Sequence, residues 1–182
     1  MNKVVDRSIE LKRLLAGNPR AAADYLRTEV VEAKDRKLTP ILLDLMNPSK
    51  YAIGVVNMAA LALAEMRVQE AVTPIIQCLR HPKHANSRGT LVYALTRLDW
   101  SAHAALLVDL VSDDNFEVRE MARVCFDRGS KRLKPEQREV ALELLAYRLR
   151  TNTNPDVKPW IVHTMGRLLK LSQRDAQLVL SN

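Results

Sequence analysis

The chain has 182 residues, of which 47% are hydrophobic, 27% are charged and 4% are aromatic. This length is sufficient for one hydrophobic core, and the composition is typical of a soluble helical protein rather than a β-sandwich or barrel. The formal net charge is +7, and residues 131–182 carry ten basic and five acidic side chains. A dedicated nucleic-acid-binding protein usually has a denser basic stripe, but this excess is compatible with an acidic or phosphate-rich partner.

The sequence also carries signals about the compartment of the protein. It begins without the apolar stretch of a secretory signal, and no uncharged apolar segment reaches the length of a transmembrane helix. Cys78 and Cys125 lie on apolar helical stripes, which indicates buried thiols rather than a disulfide. We therefore expect a cytoplasmic protein that has no membrane partner.

The first predicted elements form an atypical helical pair over residues 1–37. A short amphipathic helix is expected over residues 8–15 and ends before Gly17. Asn18 then provides a helix N-cap with Pro19 at the first helical position, and the second helix is expected to reach about Lys34. This pair does not match the segments that follow, which is typical of the capping unit of a repeat array.

A repeat begins at residue 39. The segment TPILLDL over residues 39–45 returns 34 residues later as TPIIQCL over residues 73–79, and a weaker copy follows near residue 106. A period in the thirties with helical apolar spacing predicts stacked helix pairs, each with an A helix and a B helix. The four predicted pairs are 39–46 with 53–66, 73–79 with 87–98, 104–111 with 117–126, and 136–150 with 156–169.

Three connecting segments have their own predictions. Thr39 precedes Pro40 and is expected to be an N-cap, and Asp113 and Asp114 are expected to cap the helix that follows them. The basic segment 129–135 is expected to be a solvated loop. Residues 171–182 are expected to form a C-terminal cap that begins with a capping box at Ser172.

The third and fourth B helices carry a family signature. The motif DNFEVR over residues 114–119, followed by Ala122, Cys125 and Phe126, resembles the HEAT-repeat pattern, and DVK over residues 156–158 is similar to it. The resemblance extends over residues 38–170. It implies an all-α fold, a right-handed α-solenoid of stacked antiparallel helix pairs, with about four repeats and the N-terminal pair in a single domain over residues 1–182.

The resemblance also implies roles for several residues. B helices of HEAT-like arrays line the concave side, and the arginine of the motif commonly pairs with an aspartate of a neighbouring repeat. Arg88 and Arg119 are therefore expected to have structural roles, as is Asp114.

Helical periodicity divides each B helix into faces when the motif arginine position is numbered zero. Positions +3, +4, +7 and +10 share one face and predict a core, for example Leu91, Val92, Leu95 and Leu98. Positions +2, +5 and +9 fall near the opposite face, where apolar or aromatic residues lie beside arginines. The residues predicted to bind a partner from these rows are Tyr93, Arg97, Met121, Arg128, Trp160, His163 and Arg167. An alternative is that positions +2 and +5 pack against adjacent helices.

No motif for catalysis, a metal or a cofactor is found. The chain lacks a phosphate-binding glycine loop and a nucleophile elbow. His81 and His84 are three residues apart but have no second pair of ligands nearby. No catalytic residue, metal site or cofactor is therefore predicted.

Three functions are compatible with these patterns. The first is a non-catalytic protein-binding scaffold, adaptor or inhibitor that holds a protein, for example an acidic one, in a concave groove. An immunity protein that neutralises a toxin is one example. The second is nucleic-acid binding by a basic concave surface, as in alkylpurine DNA glycosylases, which are HEAT-like proteins of similar size and charge. The third is a subunit similar to the bilin-handling HEAT proteins.

Overall fold

The computed structural model describes residues 6–170, and every regular element in that range is helical. Short 3-10 turns and one π-helical segment, Leu26–Val30, connect or extend the α-helices. The α-helices in this range are α1 (Arg7–Gly17), α2 (Pro19–Tyr25), α3 (Val31–Ala33), α4 (Thr39–Leu45), α5 (Ile53–Glu65), α6 (Val72–Arg80), α7 (Gly89–Leu95), α8 (Ala104–Val111), α9 (Phe116–Gly129), α10 (Pro135–Thr151) and α11 (Lys158–Leu169). The all-α prediction is therefore confirmed for residues 6–170. The predicted C-terminal cap at 171–182 lies outside the described residues.

The contacts between residues divide the chain into two compact units, Met1–Leu98 and Asp99–Asn182. In the first unit, α4 packs on α5 and α6 packs on α7, and the two pairs meet through α5 and α7. Helix α5 also packs on α2 and on the π-helical segment. The predicted pairing of A and B helices is thus present here, and the N-terminal helices cover one side of α5.

The second unit repeats this arrangement with α8 to α11. Helix α8 packs on α9 and α10 packs on α11. The two pairs meet twice, because α8 contacts α10 and α9 contacts α11. The B helices α9 and α11 therefore lie side by side and present residues of both helices on one surface.

Local signals explain some of the helix ends and not others. The Asn18 side chain accepts hydrogen bonds from the backbone N–H groups of Arg20 and Ala21, both at 3.1 Å, so the predicted cap is confirmed. Thr39 is instead the first residue of α4, with Leu38 in the cap position and no side-chain cap. The 3-10 turn Arg36–Leu38 leads directly into α4 and leaves Thr39 with helical dihedrals.

The cap of α9 is also corrected. Asn115, rather than Asp113 or Asp114, accepts from the backbone N–H groups of Glu117 and Val118. Asp113 instead accepts from the N–H of Asn115 at 2.9 Å and stabilises the turn before the helix. An Asn side chain accepts such bonds as well as an Asp side chain does, and Asn115 directly precedes Phe116, the first residue of α9.

The predicted core face of the B helices is confirmed for the second repeat. Leu91, Val92 and Leu95 are fully buried, and Leu98 is 2% exposed. The same face of α9 departs from the prediction at +4, because Arg123 lies there and is only partly buried. The segment 129–135 agrees only in part with the predicted solvated loop. Its charged side chains, Lys131, Arg132 and Lys134, are exposed, but Ser130 and Leu133 are buried and Ser130–Arg132 form a 3-10 turn.

Candidate functional site

All seven predicted partner-binding residues lie at least partly on the surface. Arg128 and Arg167 are exposed, and the other five have intermediate exposure. Tyr93 and Arg97 belong to the first unit, and the remaining five lie on α9 and α11 of the second unit. The two groups are therefore described separately.

In the first unit, Arg97 is held by an acidic partner. Its Nε lies 2.7 Å from Oε1 of Glu65, and Lys34 Nζ lies 3.5 Å from Oε2 of the same carboxylate. The guanidinium also lies 5.9 Å from the ring centre of Tyr93, and Nη2 donates to the Tyr93 hydroxyl at 3.4 Å. Glu65 therefore pairs with both Arg97 and Lys34, so one carboxylate offsets only part of the charge of the two cations.

In the second unit, two aromatic rings meet where α9 and α11 begin. Phe116, the first residue of α9, is 63% exposed. Its ring packs edge to face on Trp160 of α11, with ring centres 5.5 Å apart and an interplanar angle of 83°. This geometry is the favourable one for aromatic pairs. The pair forms an exposed apolar feature that the sequence predicted only in part, since Trp160 was included and Phe116 was not.

Arg119 lies close to the Trp160 ring of the aromatic pair. It is 6% exposed, and its Nη1 donates to the backbone carbonyls of Asp113 and Asp114 at 2.7 and 2.8 Å. The guanidinium carbon lies 5.9 Å from the centre of the Trp160 ring, within the range of a cation–π contact. Arg119 thus binds carbonyls of the preceding turn, whereas the family resemblance implied an aspartate carboxylate of a neighbouring repeat.

The other two residues with predicted structural roles are Asp114 and Arg88. Asp114 is exposed and contributes its backbone carbonyl rather than its side chain to Arg119. Arg88 donates from Nε to the carbonyl of Ala85 at 3.2 Å, which joins it to the turn before α7.

A charged network continues from the aromatic pair along α9 and α11. Asp127 is its centre, with Oδ1 lying 3.2 Å from Nε2 of His163 and 2.9 Å from Nε of Arg167. The other oxygen of Asp127 pairs with Arg123, whose guanidinium also binds Glu120 through two hydrogen bonds of 2.7 and 3.0 Å. The network therefore joins three cationic or titratable side chains to two carboxylates on a partly exposed surface.

The pairing changes the acidity of two members of the network. Hydrogen bonds from Arg123 lower the pKa of Glu120, and the positive charge of Arg123 lowers it further against the opposing effect of burial. The same hydrogen bonds raise the pKa of Arg123. Both groups therefore stay ionised near neutral pH, and the ion pair between Glu120 and Arg123 is retained there.

Sequence reasoning missed Phe116, Glu120, Arg123 and Asp127. The spacing of Glu120, Arg123 and Asp127 is i, i+3 and i, i+4 along one helix, which is a readable signal for ion pairs. Phe116 lies inside the quoted repeat motif but was assigned no role. The contact of Asp127 with His163 spans 36 residues and had no local signal.

The described helices contain neither a metal-binding cluster nor a membrane span. Among residues 6–170, no group of three or more His, Cys, Asp or Glu side chains has an arrangement that could hold a metal ion. None of the helices in that range combines the length and hydropathy needed to cross a bilayer.

No protein-family model matches the chain, and no curated protein matches it significantly.

Proposed function

We propose that this chain is a non-catalytic protein-binding module, and that Phe116 and Trp160 are the centre of its binding surface. The observation that carries the proposal is the 63% exposure of Phe116 in an edge-to-face pair with Trp160. A large exposed aromatic surface is unfavourable in water, and on folded proteins such surfaces commonly bind partners.

The contacts that hold the Trp160 ring in place favour tight binding. Arg119 is buried and bonded to two carbonyls, and it lies against the Trp160 ring. The Trp160 ring also packs edge to face on Phe116. A ring that is already held in place loses little conformational freedom on association. Tryptophan is also among the residues that contribute most to binding free energy at interfaces.

The charges on α9 and α11 favour an acidic partner. The two helices carry five basic side chains and three carboxylates, namely Arg119, Arg123, Arg128, Lys158 and Arg167 against Glu117, Glu120 and Asp127. Arg128 and Arg167 are exposed near the C-terminal ends of the helices, whereas the exposed Glu117 directly follows Phe116. The partner is therefore a protein segment that offers an apolar side chain to the aromatic pair and carboxylates to the arginines. Such complementarity increases the association rate and the specificity more than the affinity.

The helix pairing within each unit supports the HEAT-like interpretation of the fold. In the second unit the A helices contact each other and the B helices contact each other, which is the pattern expected of a short α-solenoid stack. Binding on the B-helix face agrees with the concave side implied by the resemblance. A small module of this kind suits an adaptor or an inhibitor, and a toxin-neutralising immunity protein is one example.

The experiment begins with capture from native lysate treated with nuclease. A captured protein is identified and purified, and its affinity is then measured by calorimetry for the wild-type chain and for Trp160→Ala and Phe116→Ala. We expect Trp160→Ala to weaken binding by about 2 kcal/mol or more, roughly 30-fold in Kd. Circular dichroism melts of each variant establish that the helices remain folded.

Tyr147→Ala is the matched control, because Tyr147 is a 53% exposed aromatic on α10. It should leave the affinity unchanged. Equal losses for Tyr147→Ala and Trp160→Ala would contradict the assigned surface. Release of all bound material by nuclease would contradict protein binding and favour a nucleic acid as the partner.

A further inference from the structure

A cavity of about 240 Å³ in the second unit is lined almost entirely by cations. Its lining residues are Ser130, Lys131, Arg138, Arg167 and Lys170. They come from the 3-10 turn after α9, from α10 and from the end of α11. Four of the five are basic and none is acidic, so the cavity concentrates positive charge in a concave space.

The neighbouring carboxylate does not neutralise this charge. Asp127 pairs with Arg167, but it also pairs with Arg123 and lies 3.2 Å from His163. One carboxylate is therefore shared by several cationic or titratable groups, and only Arg167 among them lines the cavity. Lys131, Arg138 and Lys170 add further positive charge. Mutual repulsion makes such a cluster unfavourable unless an anion lies among them.

Helix dipoles explain part of this cluster and leave Arg138 unexplained. Helices α9 and α11 both end at the cavity, and their C-terminal carbonyls favour nearby cations such as Lys131 and Lys170. Arg138 instead lies in the first turn of α10, where the helix dipole disfavours a cation. Its presence in the cavity therefore has no explanation from helix electrostatics.

Arg138 also has an unsatisfied donor. Its Nε is buried and makes no hydrogen bond within the part of the chain that the structure describes. Buried donors are rarely left without an acceptor, and an unpartnered one on a charged group is unfavourable. Arg138 lines the cavity, so an anion there would lie beside its guanidinium and close to three further cations.

We propose that this cavity binds a phosphate group, either as inorganic phosphate or as the end group of a phosphomonoester. Its volume lies below the range of pockets for drug-sized ligands, which favours a small anion. Guanidinium groups bind phosphate oxygens through paired, charge-assisted hydrogen bonds. Lys131 and Lys170 supply point charges, and the Ser130 hydroxyl supplies a neutral donor. The site shares Arg167 with the proposed partner-binding surface, but it does not use the aromatic pair and does not require a protein partner.

The test is calorimetric titration of the full chain at low salt with sodium phosphate, and separately with phosphoserine. Saturable binding is expected with at least one of the two, and the tighter ligand identifies the source of the phosphate group. Arg138→Gln should weaken that binding tenfold or more. Arg150→Gln is the matched control, since Arg150 is an exposed residue in the last turn of the same helix. It should change the Kd less than twofold.

Lys131→Gln is a second variant on an exposed position, and it keeps the proposal testable if Arg138→Gln fails to fold. It should also weaken phosphate binding, by severalfold. Equal effects of Arg138→Gln and Arg150→Gln would show a general charge effect and overturn the site. Absence of saturable binding at millimolar concentrations of both ligands would overturn it as well. Tighter binding of an oligonucleotide without terminal phosphates, with a steep salt dependence, would replace the small-anion site by an extended backbone interface.

Discussion

The α-carbon of Gly129 lies directly beneath the indole of Trp100. A Cβ at position 129 would lie 2.8 Å from Cζ2 and 2.9 Å from Nε1 of that ring. Trp100 is 2% exposed, and its ring packs on Phe126 with ring centres 5.0 Å apart, so it has little room to move. The close approach of α9 to Trp100 therefore requires glycine at this position.

We predict that Gly129→Ala destabilises the fold by about 1–3 kcal/mol, because overpacking displaces the indole or the helix. Urea unfolding followed by circular dichroism measures this change. Gly54→Ala is the control, since its Cβ would meet only the Cβ of Ala23 at 3.5 Å, an ordinary contact. It should be neutral or stabilise the fold by up to about 1 kcal/mol. Equal stability of the two variants would contradict the close packing.

The bonds of Arg119 lead to a second prediction. Its guanidinium joins α9 to the carbonyls of Asp113 and Asp114 in the turn before the helix. Arg119→Met retains most of the side-chain volume but removes both donors, so we expect a loss of about 1–3 kcal/mol in the free energy of unfolding. Chemical denaturation measures this loss.

Arg128→Met is the matched control for Arg119→Met. Arg128 lies on the same helix and is exposed, and its replacement removes the same charge. It should change stability by no more than about 0.5 kcal/mol. If both variants lose the same stability, the effect comes from the net charge and not from the two carbonyl bonds.

The third prediction concerns the pH dependence of stability. His84 is fully buried, and neither ring nitrogen has a hydrogen-bond partner among residues 6–170. Burial lowers the pKa of His84 below its ordinary value of 6.5, and the nearby His81 and Lys83 lower it further. The folded state therefore holds His84 in its neutral form.

The unfolded chain binds a proton at His84 more readily than the folded chain does. The free energy of unfolding should consequently fall as the pH drops below 6.5, by at most about 1.4 kcal/mol per pH unit from this one group. Urea unfolding of wild type and His84→Leu between about pH 7 and pH 5 measures the slope. The variant should have a shallower slope than wild type. Identical slopes for wild type and His84→Leu would contradict the prediction.

Much of the local structure follows from short-range sequence signals. The apolar spacing of residues such as Leu91 and Leu95 predicts both a helix and its buried face, and both are observed. Asn18 followed by Pro19 predicts a helix start, and the asparagine makes the expected cap bonds. These features depend on residues within one or two turns of each other. The exceptions have different causes: a 3-10 turn continues into α4 at Thr39, whereas Asn115 caps α9 in place of the neighbouring Asp113 and Asp114.

The candidate surfaces depend on contacts that local patterns do not contain. Helical spacing alone places Trp160, His163 and Arg167 toward one side of α11. The pairing of Trp160 with Phe116, and of Asp127 with His163 and Arg167, joins residues on different helices. Repeat-level reasoning therefore identified the helix face but not the neighbours that hold each side chain in place.

The sequence by itself determined the helices, most of their boundaries and the apolar faces, because periodicity and capping act between residues close in the chain. The tertiary structure alone decided that Arg119 binds two carbonyls, that Asp127 pairs across α9 and α11, and that four cations surround one cavity. The physical reason is that electrostatics and packing depend on distance in space. The approach of one helix to another is set by the shapes of many side chains at once.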